Sequence, residues 1–400
     1  MIVNKEFIGF IKKITSPEWK YGNKFFYSTL LICFIIIAYY NINIGPLMST
    51  DSIGYSESGD MLIKLNFNLL DYYSQKTISK INPSYIYTIP VILISLAKYF
   101  FGDNWQFAFM IINIILFFFS LILFFKILIF LKVRSLVISL SLPILVLSVD
   151  LLTWPRYVLT DTIFSFLVMV MIYIITKSVI NNKIYYFTII FVSSLLYLTR
   201  PTSLPFIIAI FFFIAVLKTR FNYNPKMILL FIFALFIFTP FIFALLFQLM
   251  NNYLINNTQA FFLIEMVKSG MIIYDRPDTW VDAPSTFFDV VYVYFLRILF
   301  FFNPYVKDFS DIHIIFNSIQ AVYILLSIFM WSLFGLDFKT FNKIVFLILV
   351  TSFFASAFHA FTLIDYDWRY RFPIIMPLLI IFPISFEIFI RKIYPKNFKS

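Results

Sequence analysis

Apolar runs long enough to cross a membrane alternate with short polar breaks along most of this chain, from Phe25 to Ile390. A hydrocarbon core about 30 Å thick needs about 20 apolar residues in a helix. Inside lipid the backbone must satisfy its own hydrogen bonds, which a helix does within one segment. The pattern therefore predicts an all-α fold, a polytopic membrane helix bundle.

About ten runs are predicted to cross completely. They are 25–44, 105–131, 135–149, 158–176, 183–198, 202–217, 227–249, 312–334, 343–363 and 372–390. Two further runs are too short or too charged for a comfortable crossing. The run 85–101 carries Pro90 and Lys98, and we expect it to lie along the outer interface or to re-enter. The run 287–302 has Arg297 at its middle, where a charge in lipid costs roughly 2.5 to 3.5 kcal/mol, so we expect it at the outer interface.

Charges at the ends of the runs predict the orientation of the bundle. Lys and Arg accumulate in cytoplasmic loops, and the basic N-terminus before Phe25 follows this rule. The chain is then divided into a cytoplasmic segment 1–24, one transmembrane domain 25–390 and a cytoplasmic tail 391–400. Outer loops are predicted at 46–104 and 251–311.

Composition supports the same class and excludes others. Hydrophobic residues make up 62% of the chain and charged residues 13%, against roughly 25% charged in soluble domains. The net charge of +11 comes from 31 Lys and Arg against 20 Asp and Glu. These basic residues are dispersed along helix ends and form no contiguous stripe, so they predict membrane topology and no nucleic-acid partner.

Carboxylates on the predicted outer side are the candidates for proton transfer. Asp51 lies in the first outer loop near Tyr55 and could cap a helix, or could act as a general base that deprotonates an acceptor. Glu57 and Asp60 are fallback candidates for the base. Asp161 opens a later run, where it could complement the helix dipole, orient the acceptor or hold Asp51 in place.

Arginines on the same side are candidates for binding phosphate. Arg200 precedes Pro201 at the end of a run and could contact lipid phosphate or a specific substrate phosphate. Arg369 and Arg371, near Tyr370, could clamp the phosphate of a leaving group or anchor the chain in the lipid headgroups. A guanidinium group suits either role.

Metal or nucleotide chemistry receives less support. Asp365 and Asp367 form a D-x-D pair that could hold a divalent cation, but two arginines follow directly, and an ion pair is favoured over the metal. No zinc-ligand spacing is present. The chain has 8 Gly and no Gly-rich phosphate loop, which disfavours a nucleotide-driven pump or a nucleotide-sugar enzyme.

The order of these residues resembles the GT-C superfamily of integral-membrane glycosyltransferases. This group includes the protein O-mannosyltransferases and the lipid A aminoarabinose transferases. The resemblance covers most of the chain and rests on the order of its polar motifs. They are Asp51 with Tyr55, Pro83 with Tyr85, Asp161, Arg200-Pro201, and Arg369-Tyr370-Arg371-Phe372-Pro373 with Pro377. The doubled proline common in the family is replaced here by Asn82-Pro83-Ser84, which leaves the type of donor open.

The resemblance implies a transferase in a bacterial inner membrane with its active site on the outer face. It would move a sugar from a polyprenyl-phosphate donor to a lipid-linked, glycan or protein acceptor. Asp51 would be the base, and Arg200, Arg369 and Arg371 would bind the donor phosphate. Two alternatives remain: a polysaccharide polymerase or ligase of the O-antigen type, and a flippase for lipid-linked glycans.

Overall fold

The apolar runs form helices throughout the part of the chain that the structure describes. A computed structural model describes residues 22–76, 84–253, 258–305, 310–362 and 368–393. Within these ranges there is no β-strand, and extended backbone pairs at one isolated bridge between Leu47 and Tyr157. The prediction of an all-α polytopic bundle is confirmed.

In the first half of the chain, the described residues form ten α-helices. They are α1 (Gly22–Ile44), α2 (Thr50–Lys64), α3 (Leu69–Lys76), α4 (Thr88–Phe101), α5 (Trp105–Phe130), α6 (Ser135–Leu147), α7 (Val149–Thr153), α8 (Asp161–Ile180), α9 (Tyr186–Tyr197) and α10 (Leu204–Leu217). Short 3₁₀ turns precede α4, α5 and α10, and another follows α7.

The described residues of the second half form seven further α-helices. They are α11 (Pro225–Tyr253), α12 (Thr258–Lys268), α13 (Phe287–Phe301), α14 (Asp311–Phe334), α15 (Lys339–Phe361), α16 (Phe372–Leu379) and α17 (Ile381–Ile393). A 3₁₀ turn at Trp368–Tyr370 leads into α16. Pro373 lies in the first turn of α16, where proline is tolerated, whereas Pro377 in α16 and Pro383 in α17 each lack an N–H that a continuous helix would use, which favours the break between the two helices.

Among the residues that the structure describes, seven helical stretches are long and apolar enough to cross a membrane. They are Tyr27–Ile44, Tyr85–Phe130, Asp161–Ile180, Pro225–Asn251, Asp311–Asp337, Lys339–Phe361 and Phe372–Ile393. An eighth is reached if α6 and α7, which meet at 74°, form one broken span. The sequence predicted about ten because it counted α9 and α10 as crossings, and these helices are shorter than a full span.

The run at 85–101 forms a helix of its own. Tyr85–Phe130 holds 46 residues, more than twice what one crossing needs, and it is interrupted at Gly102. Gly102 has φ +53°, a backbone conformation that glycine adopts without the steric cost of a side chain. Before the break, Lys98 of α4 pairs with Asp60 of α2 at 2.7 Å and donates to the Ser56 carbonyl at 2.9 Å. These contacts fasten α4 to the polar helix α2.

The spans differ in how much protein surrounds them. In an apolar 18-residue window of Lys339–Phe361, and likewise of Phe372–Ile393, 83% of the residues are buried, whereas the figure for the window of Asp311–Asp337 is 17%. Helices α15, α16 and α17 therefore form the centre of the bundle together with α8. Helix α14 stands at its edge and presents most of its surface to the surroundings.

Arg297 lies in the protein interior. Arg297 belongs to α13, and its side chain is fully buried. Nε donates to the Met271 carbonyl at 2.9 Å, and Nη1 donates to the Ala360 carbonyl at the end of α15 at 3.0 Å. Backbone carbonyls inside the protein therefore accept the hydrogen bonds of this charge. The placement of the run 287–302 at the outer interface stays a prediction.

One end of the bundle is closed by an ion cluster that we name the Glu387 cluster, formed by Arg134, Glu387 and Arg391. Glu387 is fully buried, and its Oε1 accepts from Nε of Arg134 at 3.2 Å and from Nε of Arg391 at 2.8 Å. Its Oε2 accepts from the Arg134 backbone N–H at 3.2 Å. The cluster fastens the start of α6 to α17. The opposite end of the bundle carries Asp51 and is called the Asp51 end below.

Candidate functional site

Backbone hydrogen bonds bring Asp51 and Asp161, two of the predicted site residues, close together. The Leu47 N–H donates to the Arg156 carbonyl at 3.0 Å, and the Val158 N–H donates to the Leu47 carbonyl at 3.0 Å. Ser52 Oγ then donates to the Val158 carbonyl at 2.7 Å. The loop before α2 is thereby bound to the loop before α8. The first turns of the two helices, with Asp51 and Asp161, lie side by side.

Asp51 is in the first turn of α2 but does not cap it. The N-cap residue is Ser49, whose backbone N–H donates to Ser52 Oγ at 2.9 Å and whose hydroxyl lies 3.1 Å from the same atom. Because the serines satisfy the helix end, the Asp51 carboxylate is free to point elsewhere. The capping alternative for Asp51 is therefore wrong.

Four charged side chains converge at this point, and we name them the Asp51 cluster: Asp51, Asp161, Arg200 and Arg369. Asp161 is shared, because its Oδ1 accepts from Nη1 of Arg200 and its Oδ2 accepts from Nε of Arg369 at 3.0 Å. Nη1 of Arg369 also donates to Oδ2 of Asp51. Residues from α2, α8 and the segments before α10 and α16 thus form one continuous chain of ion pairs.

The two carboxylates of the cluster differ in exposure. The Asp161 side chain is 1% exposed and the Asp51 side chain 49%. Arg200 is buried too, so it does not reach out to lipid phosphate. Burial alone would lower the pKa of the Arg369 guanidinium, but the charges of Asp161 and Asp51 outweigh it and raise the pKa above its ordinary value. Arg369 therefore stays charged, with a permanent partner in Asp161 and an accessible one in Asp51.

Aromatic side chains enclose the cluster. The Tyr370 ring lies 5.4 Å from the Arg200 guanidinium, within the range of a cation–π contact, and 4.4 Å from the His359 ring. On the other side, the Tyr55 and Tyr87 rings lie 5.2 Å apart. Burial raises the pKa of the Tyr55 hydroxyl far above its ordinary value, so this group is neutral at any physiological pH.

The other predicted site residues lie apart from the cluster. Glu57 is exposed on a different face of α2 from Asp51, and Asp60 pairs with Lys98. Asp365, Asp367 and Pro83 lie outside the described residues. Among the residues described, no group of three or more His, Cys, Asp or Glu side chains is placed to hold a metal ion.

Arg371 contacts different partners from Arg369, although only one residue separates them. Its Nη1 donates to the Asn303 carbonyl at 2.6 Å, and burial lowers its pKa to about 10, with the nearby Asp150 charge acting in the opposite direction. Asp150 itself is buried and lies 3.9 Å from Nε2 of His313. The two arginines therefore contact separate groups of residues.

Arg371 and Asp150 line one end of a cavity of about 380 Å³, which we name the α14 cavity. Its walls are mostly apolar and come from α11, α14, α15 and α16. Along α14 the lining runs from Asn317 to Ile328, which at 1.5 Å per residue is about 16 Å. Leu325 lines the cavity and is 65% exposed, so the cavity opens sideways from the bundle.

Sequence reasoning did not identify the polar side chains of this cavity. Asn317, Gln320 and Ser352 line it, are 9% exposed or less, and carry side-chain atoms with no hydrogen-bond partner among the described residues. Asn317 and Gln320 are three apart on a predicted span and so share a helix face. That spacing of amides within an apolar run is the signal that could have found them.

Comparison with known proteins adds nothing to this geometry. Neither protein-family models, nor curated proteins, nor solved structures gave a match to this chain. The interpretation of the site therefore depends on its own chemistry.

Proposed function

We propose that the protein is a membrane glycosyltransferase that moves a sugar from a polyprenyl-phosphate donor to an acceptor at the Asp51 end. The observation that carries the proposal is the Asp51 cluster, in which a half-exposed carboxylate and two arginines from distant parts of the sequence meet. The neighbouring α14 cavity opens toward the membrane and supports a lipid-linked substrate. The resemblance to GT-C enzymes points to the same chemistry.

In this proposal Asp51 is the general base. A hydroxyl or amine of the acceptor attacks the anomeric carbon of the donor sugar, and Asp51 accepts the proton that the nucleophile loses. The bond from the anomeric carbon to the phosphate oxygen breaks, and polyprenyl phosphate leaves with the bonding electrons. A half-exposed carboxylate suits this role, since the acceptor must reach it.

Arg369 and Arg200 would stabilise the negative charge of the leaving phosphate. Asp51 is an accessible partner of Arg369, and we expect the donor phosphate to take its place on Nη1. The exchange would release Asp51 to accept a proton, while the buried Asp161 keeps both arginines oriented. Donor binding and activation of the base would then be the same event.

The test combines donor binding with turnover. Protein in lipid nanodiscs is given a panel of polyprenyl-phosphate hexoses and pentoses, and mass spectrometry follows the release of polyprenyl phosphate in a total lipid extract that supplies acceptors. Asp51→Asn is expected to bind polyprenyl phosphate at least as tightly as the wild type while losing turnover. Comparing cell-envelope glycans with and without the gene shows which sugar is moved.

A flippase gives a different result in the same experiment. If Asp51→Asn protein still moves a labelled lipid-linked sugar across the bilayer of proteoliposomes at the wild-type rate, and no polyprenyl phosphate is released by either protein, the glycosyltransferase proposal is wrong. Lower affinity of Asp51→Asn for polyprenyl phosphate would contradict the exchange at Arg369.

A further inference from the structure

The Asp51 cluster balances its own charges. Its ion pairs join two guanidinium groups, of Arg200 and Arg369, to two carboxylates, of Asp161 and Asp51. A phosphate diester that replaces Asp51 on Arg369 brings a further negative charge, while Asp51 keeps its own. An uncompensated charge beside buried groups is costly, because little water is there to solvate it. A donor phosphate at this site therefore favours a further cation next to the cluster.

Arg156 is a cation at the Asp51 end that the cluster does not use. It ends a 3₁₀ turn that begins at Trp154, and its carbonyl accepts from the Leu47 N–H at 3.0 Å, four residues before Asp51. The Trp154 ring lies 5.9 Å from the ring of Phe372 at the start of α16. The turn is thus in contact with both the loop before α2 and the segment that follows Arg369.

The guanidinium group of Arg156 carries no ion pair. Among the described residues it donates no side-chain hydrogen bond, and its contact there is with the Tyr157 ring, at 5.6 Å from the guanidinium carbon. Nε is buried without a partner, whereas neither terminal nitrogen, Nη1 or Nη2, is buried in that way. The inner part of the group is therefore held by the protein, and its two outer nitrogens are open to a ligand.

We propose that Arg156 is a third phosphate-binding arginine, which holds the same donor phosphate that Arg369 receives at the Asp51 cluster. The two outer nitrogens of a guanidinium group can bind two oxygens of one phosphate side by side. The proposal rests on the proposed function, because it concerns the donor of that reaction. Binding of the phosphate does not require transfer of the sugar, so it can be measured alone.

The same residue has a role when the bond to the phosphate breaks. The acceptor oxygen or nitrogen bonds to the anomeric carbon, and its proton passes to Asp51. The bonding electrons of the broken bond stay on the phosphate, which gains the negative charge that Asp51 loses. Total charge is unchanged, but it moves toward Arg156, so this arginine stabilises the leaving group more than the bound donor.

The experiment measures lipid binding without turnover. Native mass spectrometry of the purified full chain in detergent gives the affinity for polyprenyl phosphate and for polyprenol, which has the same chain and no phosphate. We expect Arg156→Gln to lower the affinity for polyprenyl phosphate about tenfold, since a hydrogen bond to a charged group is worth about that factor or more. Polyprenol should bind equally to both proteins. An unchanged affinity for polyprenyl phosphate would overturn the proposal.

The variant should fold, because it removes no side-chain hydrogen bond to a described residue and keeps the backbone bond to Leu47. Size-exclusion chromatography checks this. Arg156→Lys keeps the charge, so its affinity should stay within about threefold of the wild type, a smaller loss than that of one charged hydrogen bond. A loss as large as that of Arg156→Gln would contradict the charge argument.

Arg220→Gln is the matched control for net charge. Arg220 is exposed in the turn after α10, close to Tyr223, whose carbonyl accepts from Asn342 at 2.8 Å at the start of α15. It therefore lies at the opposite end of the bundle. We expect Arg220→Gln to bind polyprenyl phosphate as the wild type does. A tenfold loss in this variant too would assign the effect to overall charge, and the proposal would be wrong.

A second lipid separates the donor from the membrane. Phosphatidylglycerol offers the same phosphate chemistry as a lipid head group. If Arg156→Gln weakens phosphatidylglycerol as much as polyprenyl phosphate, or more, Arg156 anchors the protein in the membrane and the proposal is wrong. A loss confined to polyprenyl phosphate supports it. If that loss is found but the wild type releases no polyprenyl phosphate from any donor, the phosphate site stands and only the proposed function fails.

Discussion

The two ends of the bundle carry the same arrangement of charged side chains, but we expect different roles for them. At each end a buried carboxylate is shared by two arginines: Asp161 by Arg200 and Arg369, and Glu387 by Arg134 and Arg391. An aromatic ring lies near one arginine of each cluster, at 5.4 Å from Arg200 and at 5.2 Å from Arg391. The shared part of the two clusters is therefore a structural fastening of helix ends.

What differs is the second carboxylate. The Asp51 cluster has Asp51, 49% exposed, on the outer nitrogen of Arg369, and a cavity opens beside it. Among the described residues, the salt bridges of Arg134 and Arg391 both go to Glu387, and Arg391 also donates to the Lys132 carbonyl at 2.6 Å. A chemical role is thus expected at one end only, and variants in matched positions can test this.

The largest difference is expected between Asp51→Asn and Glu387→Gln in glycosyl transfer. Loss of a general base lowers a rate by about 10²- to 10⁴-fold, so Asp51→Asn should lose that much of its turnover. The exposed ion pair it breaks is worth about 1 kcal/mol or less, so its thermal stability should hardly change. Glu387→Gln should lose thermal stability but keep its turnover per folded molecule. Polyprenyl-phosphate release and the melting temperature are measured for both variants.

Equal loss of turnover per folded molecule in both variants would contradict the comparison. The Asp51 cluster would then be a second structural fastening with no chemistry of its own.

Much of this comparison was accessible from the sequence, but not all. Hydrophobic periodicity and charge placement predicted that Asp51, Asp161, Arg200 and Arg369 lie at the same end, because the length of a span fixes the level of its flanking residues. These patterns could not predict which neighbouring residues share a hydrogen bond, since the order of helices around a bundle does not follow from their lengths.

The cases that escaped prediction have the same physical cause. Glu387 lies within a predicted span, where its pairing with Arg134, 253 positions away, leaves no local pattern. Arg369 and Arg371 were expected to share one phosphate, yet the turn into α16 gives them different partners. The run 287–302 was assigned to an interface because it is short and has Arg297 at its middle, and the backbone carbonyls that bind Arg297 leave no sequence pattern.

Removing the shared carboxylates should cost the most stability. Asp161→Asn and Glu387→Gln each leave two arginines without their buried counter-charge, and breaking a buried pair costs about 3 to 5 kcal/mol. Both variants should unfold at clearly lower temperature in a fluorescence-detected size-exclusion assay. If Asp161→Asn were as stable as the wild type, the cluster would not hold the ends of α8, α10 and α16 together.

The aromatic rings near the two clusters allow a finer comparison of the two ends of the bundle. Tyr370→Leu and Phe341→Leu remove the rings near Arg200 and Arg391, and a cation–π contact contributes about 0.5 to 2 kcal/mol. Both should lower stability by about that amount. Only Tyr370→Leu should also weaken binding of polyprenyl phosphate, because Arg200 would lose its orientation. Tyr370→Phe keeps the ring and is the control, expected to bind as the wild type does.

The smallest effects are expected at the ion pairs near each cluster in which the carboxylate is exposed. Asp60 pairs with Lys98 at 2.7 Å at the Asp51 end, and Asp337 pairs with Lys392 at 3.5 Å at the other. Exposed pairs contribute about 0 to 1 kcal/mol because water screens them and the side chains lose entropy. Asp60→Asn and Asp337→Asn should therefore leave melting temperature and turnover nearly unchanged. A loss of turnover in Asp60→Asn as large as in Asp51→Asn would move the base to Asp60, and the exposure of Asp51 would then have no chemical meaning.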